Sequence, residues 1–280
     1  MANDRATDAI EFPYRARDFE ELKRFALQHA GITLTDSRRH LVYSRVVRRV
    51  RSLGLSNVAE YCRVLRDGDA EEISSFIHVI TTHVTQFFRE YPQLEMLAKL
   101  VQTGALSHAQ PIALWSAGCS SGEEAYSIAM VLADALGGPN PKRYTIRGTD
   151  VDRHIVETAR AGVYEERAIH DIDRRYRRYF LRGTGANQGL VRVHPNLTAL
   201  AHFDVGNLFG PWPTRKYDII FCRNVMIYFT PEQIQTLIDR FASHLKVGGH
   251  LFIGHSENIG DHRDRFDALG QNAFRLRAKV

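Results

Sequence analysis

The chain has 280 residues, of which 44% are hydrophobic and 25% are charged, and its formal net charge is +5. This length and composition suit one large or two modest globular domains and exclude a chain that is disordered along most of its length. No apolar run approaches the roughly 18 residues of a membrane-spanning helix, so we expect a cytoplasmic protein without membrane insertion. The three cysteines, Cys62, Cys119 and Cys222, have no C-x-x-C spacing, which fits a reducing compartment and favours neither a disulfide framework nor a metal site.

Apolar side chains recur at helical spacing from residue 18 to residue 100, with almost no strand pattern. Gly31, Gly54 and Gly68 fall between successive sets as helix stops. A fourth stretch, 73–88, is the richest in β-branched residues and fits either a helix or an extended segment. We therefore predict a small all-helical N-terminal domain with its linker over residues 1–95.

One stretch of this domain, DSRRHLVYSRVVRRVRS (Asp36 to Ser52), is rich in arginine and has a single acid. Helical spacing sets most of its arginines opposite a stripe of three valines, Val42, Val46 and Val50. Such a basic face meets solvent or an anionic partner. Nucleic acid is one such partner, but only Tyr43 is available for stacking, so an acidic protein surface suits the face equally well. The arginines concerned are Arg38, Arg45, Arg48, Arg49 and Arg51.

From Pro111 onward, strand-like runs alternate with helical patterns, which predicts a parallel sheet covered by helices. The strand-like runs are Ile112 to Trp115, Tyr144 to Gly148, Ile219 to Cys222 and His250 to Gly254. The helical patterns are Glu123 to Leu136, Arg153 to Ala161 and Pro231 to Leu245. A glycine-rich turn at 183–189, flanked by short alternating runs, predicts an antiparallel hairpin. We therefore predict a second domain over residues 96–280, with an antiparallel β-subdomain inserted over 174–204.

The stretch WSAGCSSGEEAYSIA (residues 115–129) has the layout of a nucleotide-binding strand-to-helix junction, yet two glutamates stand where phosphate is usually bound. Ser121 and Glu124 match the S-x-x-E capping box, which predicts a structural role for Glu124. Glu123 is left to accept hydrogen bonds from an ammonium or a hydroxyl group. The pattern favours S-adenosylmethionine (SAM), which carries an amino group and ribose hydroxyls but no phosphate.

Polar residues also follow two later strand-like runs. In Thr149-Asp150-Val151-Asp152, Asp150 is the candidate for accepting from ribose hydroxyls, because Asp152 directly precedes a helical pattern and suits a helix cap. Arg223 and Asn224 follow Cys222, and ligands of open α/β sheets bind beyond such strand ends. Tyr228 either offers its phenol to a reaction centre or rests at a domain seam, and the residues alone favour neither.

The stretch TTHVTQFFRE (Thr81 to Glu90) joins the two regions. Its polar side chains are interleaved with Phe87 and Phe88, which is typical of a linker with one packed face and one polar face. Arg89 is its candidate for a functional role.

Five stretches, WSAGCSSGEEAYSIA, GTDVD, FCRNVMIYF, LKVGGHLFIGHSE and TTHVTQFFRE, together resemble the CheR family of SAM-dependent chemoreceptor glutamate methyltransferases, and RGTGANQGLVRV resembles that family's inserted β-subdomain. The resemblance implies an α/β, class I (Rossmann-like) methyltransferase fold with a seven-stranded sheet, behind a helical N-terminal domain. It implies methyl transfer from SAM to glutamate carboxylates of methyl-accepting chemotaxis proteins, which gives methyl esters and S-adenosylhomocysteine (SAH) without a metal.

The resemblance also implies roles for individual residues. The cofactor contacts carried onto this chain are His83, Thr85, Arg89, Glu123, Asp150, Asn207, Leu208, Arg223 and Asn224. Arg89 and Tyr228 are expected to act as catalytic residues that orient the acceptor carboxylate. His83 departs from the family pattern, which usually has asparagine at this position; an imidazole is larger and can take up a proton near neutral pH.

The expected partner is the cytoplasmic domain of a chemotaxis receptor, docked by the five arginines of the basic face. In some members of the family, a receptor C-terminal pentapeptide also binds the β-subdomain.

A nucleic-acid or small-molecule methyltransferase is the first alternative, although the Asn/Asp-Pro-Pro-aromatic motif of amine-methylating enzymes is replaced here by Arg223-Asn-Val-Met-Ile-Tyr228. A SAM-binding regulator without transfer activity is the second, and an NAD-dependent oxidoreductase is disfavoured because G-x-G-x-x-G is missing. We expect no nucleic-acid partner.

Overall fold

The computed structural model describes residues 11–106 and 111–278, and the chain divides into two compact units after Thr82. The division comes earlier than the predicted boundary at residue 95. That boundary would cut the helix Tyr91–Gln102, whose Leu94 and Leu97 side chains belong to the core of the second unit. No helix of the described ranges is both long enough and apolar enough to cross a membrane.

The first unit is all-helical, as predicted. Its helices are α1 (Ala16–Ala30), α2 (Arg39–Ser52), α3 (Val58–Arg66) and α4 (Ala70–Ile80), with a 3-10 turn at Asp36–Arg38. The predicted valine stripe of α2 is buried. Helix α4 resolves the ambiguous stretch 73–88, because Asp69 accepts hydrogen bonds from the backbone N–H groups of Glu71 and Glu72 and so starts a helix that ends at Ile80.

The second unit is an α/β domain with a seven-stranded mixed sheet, which confirms the predicted fold class. Its strands are β1 (Ile112–Ala117), β2 (Tyr144–Asp150), β3 (Val163–Glu165), β4 (Phe180–Arg182), β5 (Leu190–Val193), β6 (Ala201–Val205), β7 (Tyr217–Cys222), β8 (Leu245–Ile253), β9 (Phe266–Gly270) and β10 (Ala273–Leu276). Its helices are α5 (Tyr91–Gln102), α6 (Glu123–Leu136), α7 (Arg153–Ala161), α8 (Arg174–Arg177), α9 (Pro195–Thr198) and α10 (Pro231–His244). Helices α6 and α7 have the bounds that the sequence predicts.

The order of strands in the large sheet is β6-β2-β1-β7-β8-β10-β9, and the five strands from β6 to β8 are parallel. The order reverses at β1, which leaves a crevice at the carboxyl ends of β1 and β7, where ligands of open α/β sheets bind. The turns after these strands approach closely. A Cβ atom on Gly118, whose φ is +87°, would lie 2.3 Å from Cγ2 of Val225, so this position requires glycine.

A separate three-stranded antiparallel sheet, in the order β3-β5-β4, forms the β-subdomain. The predicted hairpin is present as β4 and β5. The predicted bounds of 174–204 differ from the structure at both ends, because β3 at residues 163–165 pairs with β5, whereas β6 at residues 201–205 pairs with β2 in the large sheet. The strand β3 was missed because three residues are too few to show a periodic pattern.

Candidate active site

Six of the predicted site residues follow the carboxyl ends of four neighbouring parallel strands. Since these ends lie along one edge of the sheet, the fold brings the six together. They are Glu123 after β1, Asp150 at the end of β2, Asn207 and Leu208 after β6, and Arg223 and Asn224 after β7.

Asp150 ties the turn after β1 to the end of β2. One of its carboxylate oxygens accepts a hydrogen bond from the Ser120 N–H at 2.9 Å, and the other accepts from the Asp152 N–H at 3.1 Å. Burial raises the pKa of Asp150, an effect that these backbone bonds partly oppose. Asp152 caps α7 through the N–H groups of His154 and Ile155, as its position predicts. Asp150 is thus fixed in orientation at the edge of the crevice.

The predicted capping box between Ser121 and Glu124 does not form. The N-cap of α6 is Gly122, and the Ser121 hydroxyl donates instead to Glu123 Oε2 at 2.6 Å. Glu124 turns toward the sheet, where it accepts from the Ser116 hydroxyl and from Arg223 Nε, both at 2.7 Å. Glu124 therefore pairs with the distant Arg223 instead of capping the start of α6, because a buried ion pair is stronger than a capping hydrogen bond.

Glu123 is a buried carboxylate, and burial raises its pKa. Within residues 11–106 and 111–278, no lysine, arginine or histidine forms an ion pair with it. A buried carboxylate that lacks a cation is costly, and a ligand ammonium would lower that cost. Glu123 is therefore suited to bind a cationic group.

Arg223 is buried beneath the edge, and its side chain is only 2% exposed. Besides Glu124, its guanidinium contacts Gln93 Oε1 at 3.1 Å and lies 3.7 Å from Glu90 Oε2. With these contacts, Arg223 holds the turn that carries Asn224, so we interpret it as a positioning residue. Its predicted contact with the cofactor stays a prediction.

The segment 83–90 runs along the same edge. His83 Nε2 lies 2.9 Å from Asp152 Oδ2 after β2, whereas Glu90 accepts from Asn224 Nδ2 at 3.3 Å after β7. Between them, the Phe88 N–H donates to the Ser127 hydroxyl of α6 at 2.9 Å. The linker thus spans the crevice from β2 to β7, and its polar residues face the other predicted site residues.

Glu90 adds an ionised group to this cluster. Burial alone would raise its pKa, but the hydrogen bond with His255 and the charge of Arg223 together lower the pKa of the carboxyl. His255 Nδ1 lies 3.0 Å from Glu90 Oε1. Neither Glu90 nor His255 was singled out from the sequence, although both belong to stretches that carry the family resemblance.

The two catalytic candidates, Arg89 and Tyr228, and the predicted cofactor contact Thr85 lie in partly exposed positions. The Arg89 guanidinium donates to the Val84 carbonyl at 3.0 Å, and no carboxylate of the described residues pairs with it. Thr85 is half-buried on the same segment, and Tyr228 is half-buried in the 3-10 turn Met226–Tyr228. Arg89 therefore offers N–H groups to an incoming anion.

The loop after β6 is held by Arg240 of α10. The guanidinium of Arg240 donates to the carbonyls of Leu208 and Gly210 at 2.6 and 2.5 Å, and it lies 3.9 Å from the centre of the Trp212 ring. The Gly206 N–H donates to the Asp150 carbonyl at 2.8 Å, which joins this loop to the end of β2. Asn207 and Leu208 are thereby fixed next to Asp150.

The basic face of the first unit is partly occupied by internal contacts. Arg45 donates to the carbonyls of Ile80 and Thr81, both at 2.9 Å, and so caps the end of α4. Arg49 forms a two-pronged ion pair with the buried Glu72. These two side chains stabilise the helical unit, which their helical spacing did not reveal.

The other three arginines of the face differ in their surroundings. Arg51 pairs with Glu11, and Arg38 is half-buried. Arg48 is exposed, and no carboxylate of the described residues forms an ion pair with it. Of the predicted docking set, Arg48 is the side chain best placed to meet a partner.

The chemistry of the edge suits SAM. The carboxylates of Glu123 and Asp150 match an ammonium and ribose hydroxyls. A phosphate-bearing cofactor would instead meet the unneutralised carboxylate of Glu123 at the start of α6. His83, Thr85 and Arg89 lie on the segment 83–90, and Asn207, Leu208 and Asn224 follow strands of this edge; their contacts with the cofactor stay predictions.

Comparison with known proteins agrees with this geometry. Residues 83–275 match the family described as CheR methyltransferase, SAM binding domain, and residues 17–81 match CheR methyltransferase, all-alpha domain. The chain is 40% identical over 262 residues to the chemotaxis protein methyltransferase of Escherichia coli (strain K12), with 92% of this chain and 90% of that protein covered. It is 38% identical over 267 residues to chemotaxis protein methyltransferase 2 of Pseudomonas aeruginosa, with 94% of each covered.

Similarity to solved structures is weaker. A magnesium protoporphyrin IX methyltransferase from Synechocystis PCC 6803 with bound SAM is 17% identical and has a TM-score of 0.37, with 67% of this chain and 79% of that chain covered. Agreement at this level carries no argument about the site.

Proposed function

Because the chain belongs to the CheR methyltransferase family and is a SAM-dependent methyltransferase of chemotaxis, we propose that it methylates glutamate side chains of methyl-accepting chemotaxis proteins. The acceptor is the receptor's cytoplasmic domain, and the products are glutamate methyl esters and SAH. The protein acts in the cytoplasm, where that receptor domain lies.

The complementary charges of Glu123 and Arg89 carry this proposal. Glu123 is a buried carboxylate with no cation among the described residues, and it suits the ammonium group of SAM. Arg89 is a cation with no carboxylate partner among the same residues, and it suits the carboxylate of an acceptor glutamate. The site thus offers one unmatched charge for each reactant.

The reaction needs little proton chemistry from the protein. SAM supplies a methyl group activated by its sulfonium. A glutamate carboxylate is already ionised at neutral pH, so it attacks without a general base. The protein's task is to hold the reactants in line, and good alignment can be worth about 7–11 kcal/mol of the barrier.

Two side chains perform that alignment in this account. Arg89 donates to the acceptor carboxylate and fixes its direction, and Tyr228 supplies a further hydrogen bond from its hydroxyl. Both are half-buried, which permits contact with a macromolecular acceptor while limiting access of water. Asp150 and Asn224 bind the cofactor on either side of the crevice.

Two surfaces are assigned to the receptor. The exposed Arg48 of the basic face attracts the acidic receptor helix, and Arg38 and Arg51 of the same face add positive charge. This contact speeds association through charge complementarity. The β-subdomain has β4 at the edge of its sheet, and an edge strand can pair with an extended peptide such as a receptor C-terminal pentapeptide.

Methyl-tritiated SAM and receptor-containing membranes test the proposal. We expect base-labile label in the receptor, because a carboxylate methyl ester is cleaved by mild base. Label in added nucleic acid would support the first alternative, and bound SAM without transfer to any acceptor would support a regulator. The Glu157→Gln variant, which alters an exposed glutamate of α7, serves as the control and should label the receptor like the wild type.

A further inference from the structure

The turn after β7, residues 223–226, is the element that presents Asn224 to the crevice. Asn224 adopts a left-handed conformation with a φ of 59°, which side chains other than glycine and asparagine rarely tolerate. Asparagine tolerates this conformation, so the surrounding contacts need only select it over the other conformations open to the turn. The contacts that select it lie outside the residues carried over from the family resemblance.

The carboxylate of Glu257 supplies most of these contacts. Its Oε2 accepts from the N–H of Asn224 at 3.1 Å, and its Oε1 accepts from the N–H of Met226 at 2.9 Å. Oε2 also accepts from the N–H of Gly254 at 2.6 Å, just beyond β8. One buried carboxylate therefore joins the turn after β7 to the turn after β8 through three backbone bonds.

The turn that carries Glu257 is itself fixed. Asn272 Nδ2 donates to the carbonyls of Gly254 and Glu257, at 2.7 and 3.2 Å. Gln93 Nε2 donates to the Ile253 carbonyl at 2.8 Å, and Gln93 Oε1 receives Arg223 Nη1. The Glu257 carboxylate is thus held from both sides of the strand end.

The close approach of the two turns leaves no space to spare. A Cβ atom on Gly254 would lie 2.8 Å from Asn224 Nδ2 and 2.9 Å from the Asn224 backbone nitrogen. Glycine at 254 permits the Glu257 carboxylate to reach all three N–H groups. Any displacement at either turn would move the Asn224 side chain.

From these contacts we infer that Glu257 is a positioning residue for the cofactor site, which sets the orientation of Asn224 through the backbone of the turn after β7 without contacting the cofactor. The inference rests on the proposed cofactor role of Asn224. It does not depend on which macromolecule accepts the methyl group.

The Glu257→Gln variant tests it, because the amide keeps the volume of the side chain but turns an N–H₂ group toward a backbone N–H. The variant loses backbone hydrogen bonds that the charged Glu257 carboxylate accepts. We therefore expect its affinity for SAH, measured by calorimetry, to fall by about tenfold or more. The KM for SAM should rise in step, whereas a purely structural defect would lower the active fraction and leave KM unchanged.

Asp218→Asn is the matched control. Asp218 is as buried as Glu257, accepts from the Ala113 N–H at 2.8 Å and pairs with Lys246, but it stands near the start of β7, away from the carboxyl edge. We expect the affinity of Asp218→Asn for SAH to change by less than about twofold, because distant sites couple weakly. This should hold even if its melting temperature falls as far as that of Glu257→Gln.

A Gly254→Ala variant separates the inference from misfolding of Glu257→Gln. It keeps the charge of Glu257 but displaces both the carboxylate and the turn after β7, because the added Cβ would lie 2.8 Å from Glu257 Oε2 and from Asn224 Nδ2, so it should also weaken SAH binding and raise the KM for SAM. Wild-type SAH affinity in a folded Glu257→Gln protein, or equal weakening in Asp218→Asn, would overturn the inference. Failure of receptor labelling alone would count against the proposed function and not against this inference, because SAH binding needs no acceptor.

Discussion

Arg223 Nε and Glu124 Oε2 lie 2.7 Å apart beneath the carboxyl edge of the sheet, and the two side chains are 2% and 11% exposed. This ion pair joins the start of α6 to the turn after β7. Because it is buried, removing Glu124 leaves the Arg223 charge with only the more distant carboxylate of Glu90, at 3.7 Å.

Glu124→Gln is therefore expected to lower the free energy of unfolding by about 1.5–3 kcal/mol, since it removes a buried hydrogen bond between charged groups while Glu90 stays near the guanidinium. Denaturant unfolding followed by circular dichroism measures the change. Glu157→Gln removes the partner of Arg153 in an exposed ion pair and should cost no more than about 0.5 kcal/mol. Equal losses in the two variants would show that the Arg223–Glu124 pair adds no special stability.

The pH dependence of cofactor binding should report on Glu123. Burial raises the pKa of this carboxyl above its ordinary value of 4.5, and an ammonium binds its charged form. Affinity for SAH should therefore fall as the pH is lowered from neutral through that raised pKa. Without ligand, the same shift makes the Glu123 contribution to the free energy of unfolding more favourable as the pH falls.

Glu123→Gln isolates this effect. We expect the variant to bind SAH about tenfold or more weakly at neutral pH, with a flatter pH profile than the wild type, because the amide does not titrate. Calorimetric titrations from neutral pH down to about pH 5 measure both. A variant with the same affinity and the same pH profile as the wild type would remove Glu123 from the ammonium site.

Charge reversal should separate structural from docking arginines on the basic face. Arg49→Glu places a like charge beside the buried Glu72, which also accepts from the Tyr61 hydroxyl at 2.7 Å, so we expect a loss of about 3 kcal/mol or more in the free energy of unfolding. Arg48→Glu should change stability by less than about 0.5 kcal/mol, because this side chain is exposed.

Receptor methylation gives the second readout for Arg48→Glu. A raised KM for receptor, with an unchanged KM for SAM and a normal unfolding curve, is the outcome that docking requires. If the KM for receptor stays at the wild-type value, the basic face has no part in docking.

Arg240 should be sensitive to a substitution that keeps its charge. Arg240→Lys loses the planar stack on Trp212 and one of two carbonyl bonds, so we expect about 1–3 kcal/mol less stability and weaker SAH binding through the loop at Asn207. Arg215→Lys, at an exposed position, is the control. Tryptophan fluorescence and calorimetry measure the two effects, and identical behaviour of the two variants would contradict the role of Arg240.

Local signals predicted much of the fold. Helix α7 was predicted to the residue because Asp152 caps its start and Gly162 ends it, and both signals lie next to the helix in sequence. The parallel pairing of β1, β2, β7 and β8 followed from the alternation of strands and helices. The three-residue strand β3 carried no comparable local signal and was missed.

The site was less predictable, because its contacts join residues that are distant in sequence. Ser121 and Glu124 fit a local cap, but Glu124 pairs instead with Arg223, 99 residues further along the chain. Likewise, the valine stripe of α2 revealed its buried face but not that Glu72 would neutralise Arg49. Sequence spacing shows which side chains share an element, whereas the partner of a charge depends on the packing of elements.

The most direct test of the central claim is site-resolved mass spectrometry of a receptor cytoplasmic domain after incubation with SAM and the purified protein. The account predicts a methyl ester on glutamate side chains, removed by mild base, and its loss with Arg89→Ala even at SAM concentrations that saturate the variant. Methylation confined to other side chains or to nucleic acid, or undiminished glutamate esters with Arg89→Ala, would contradict it.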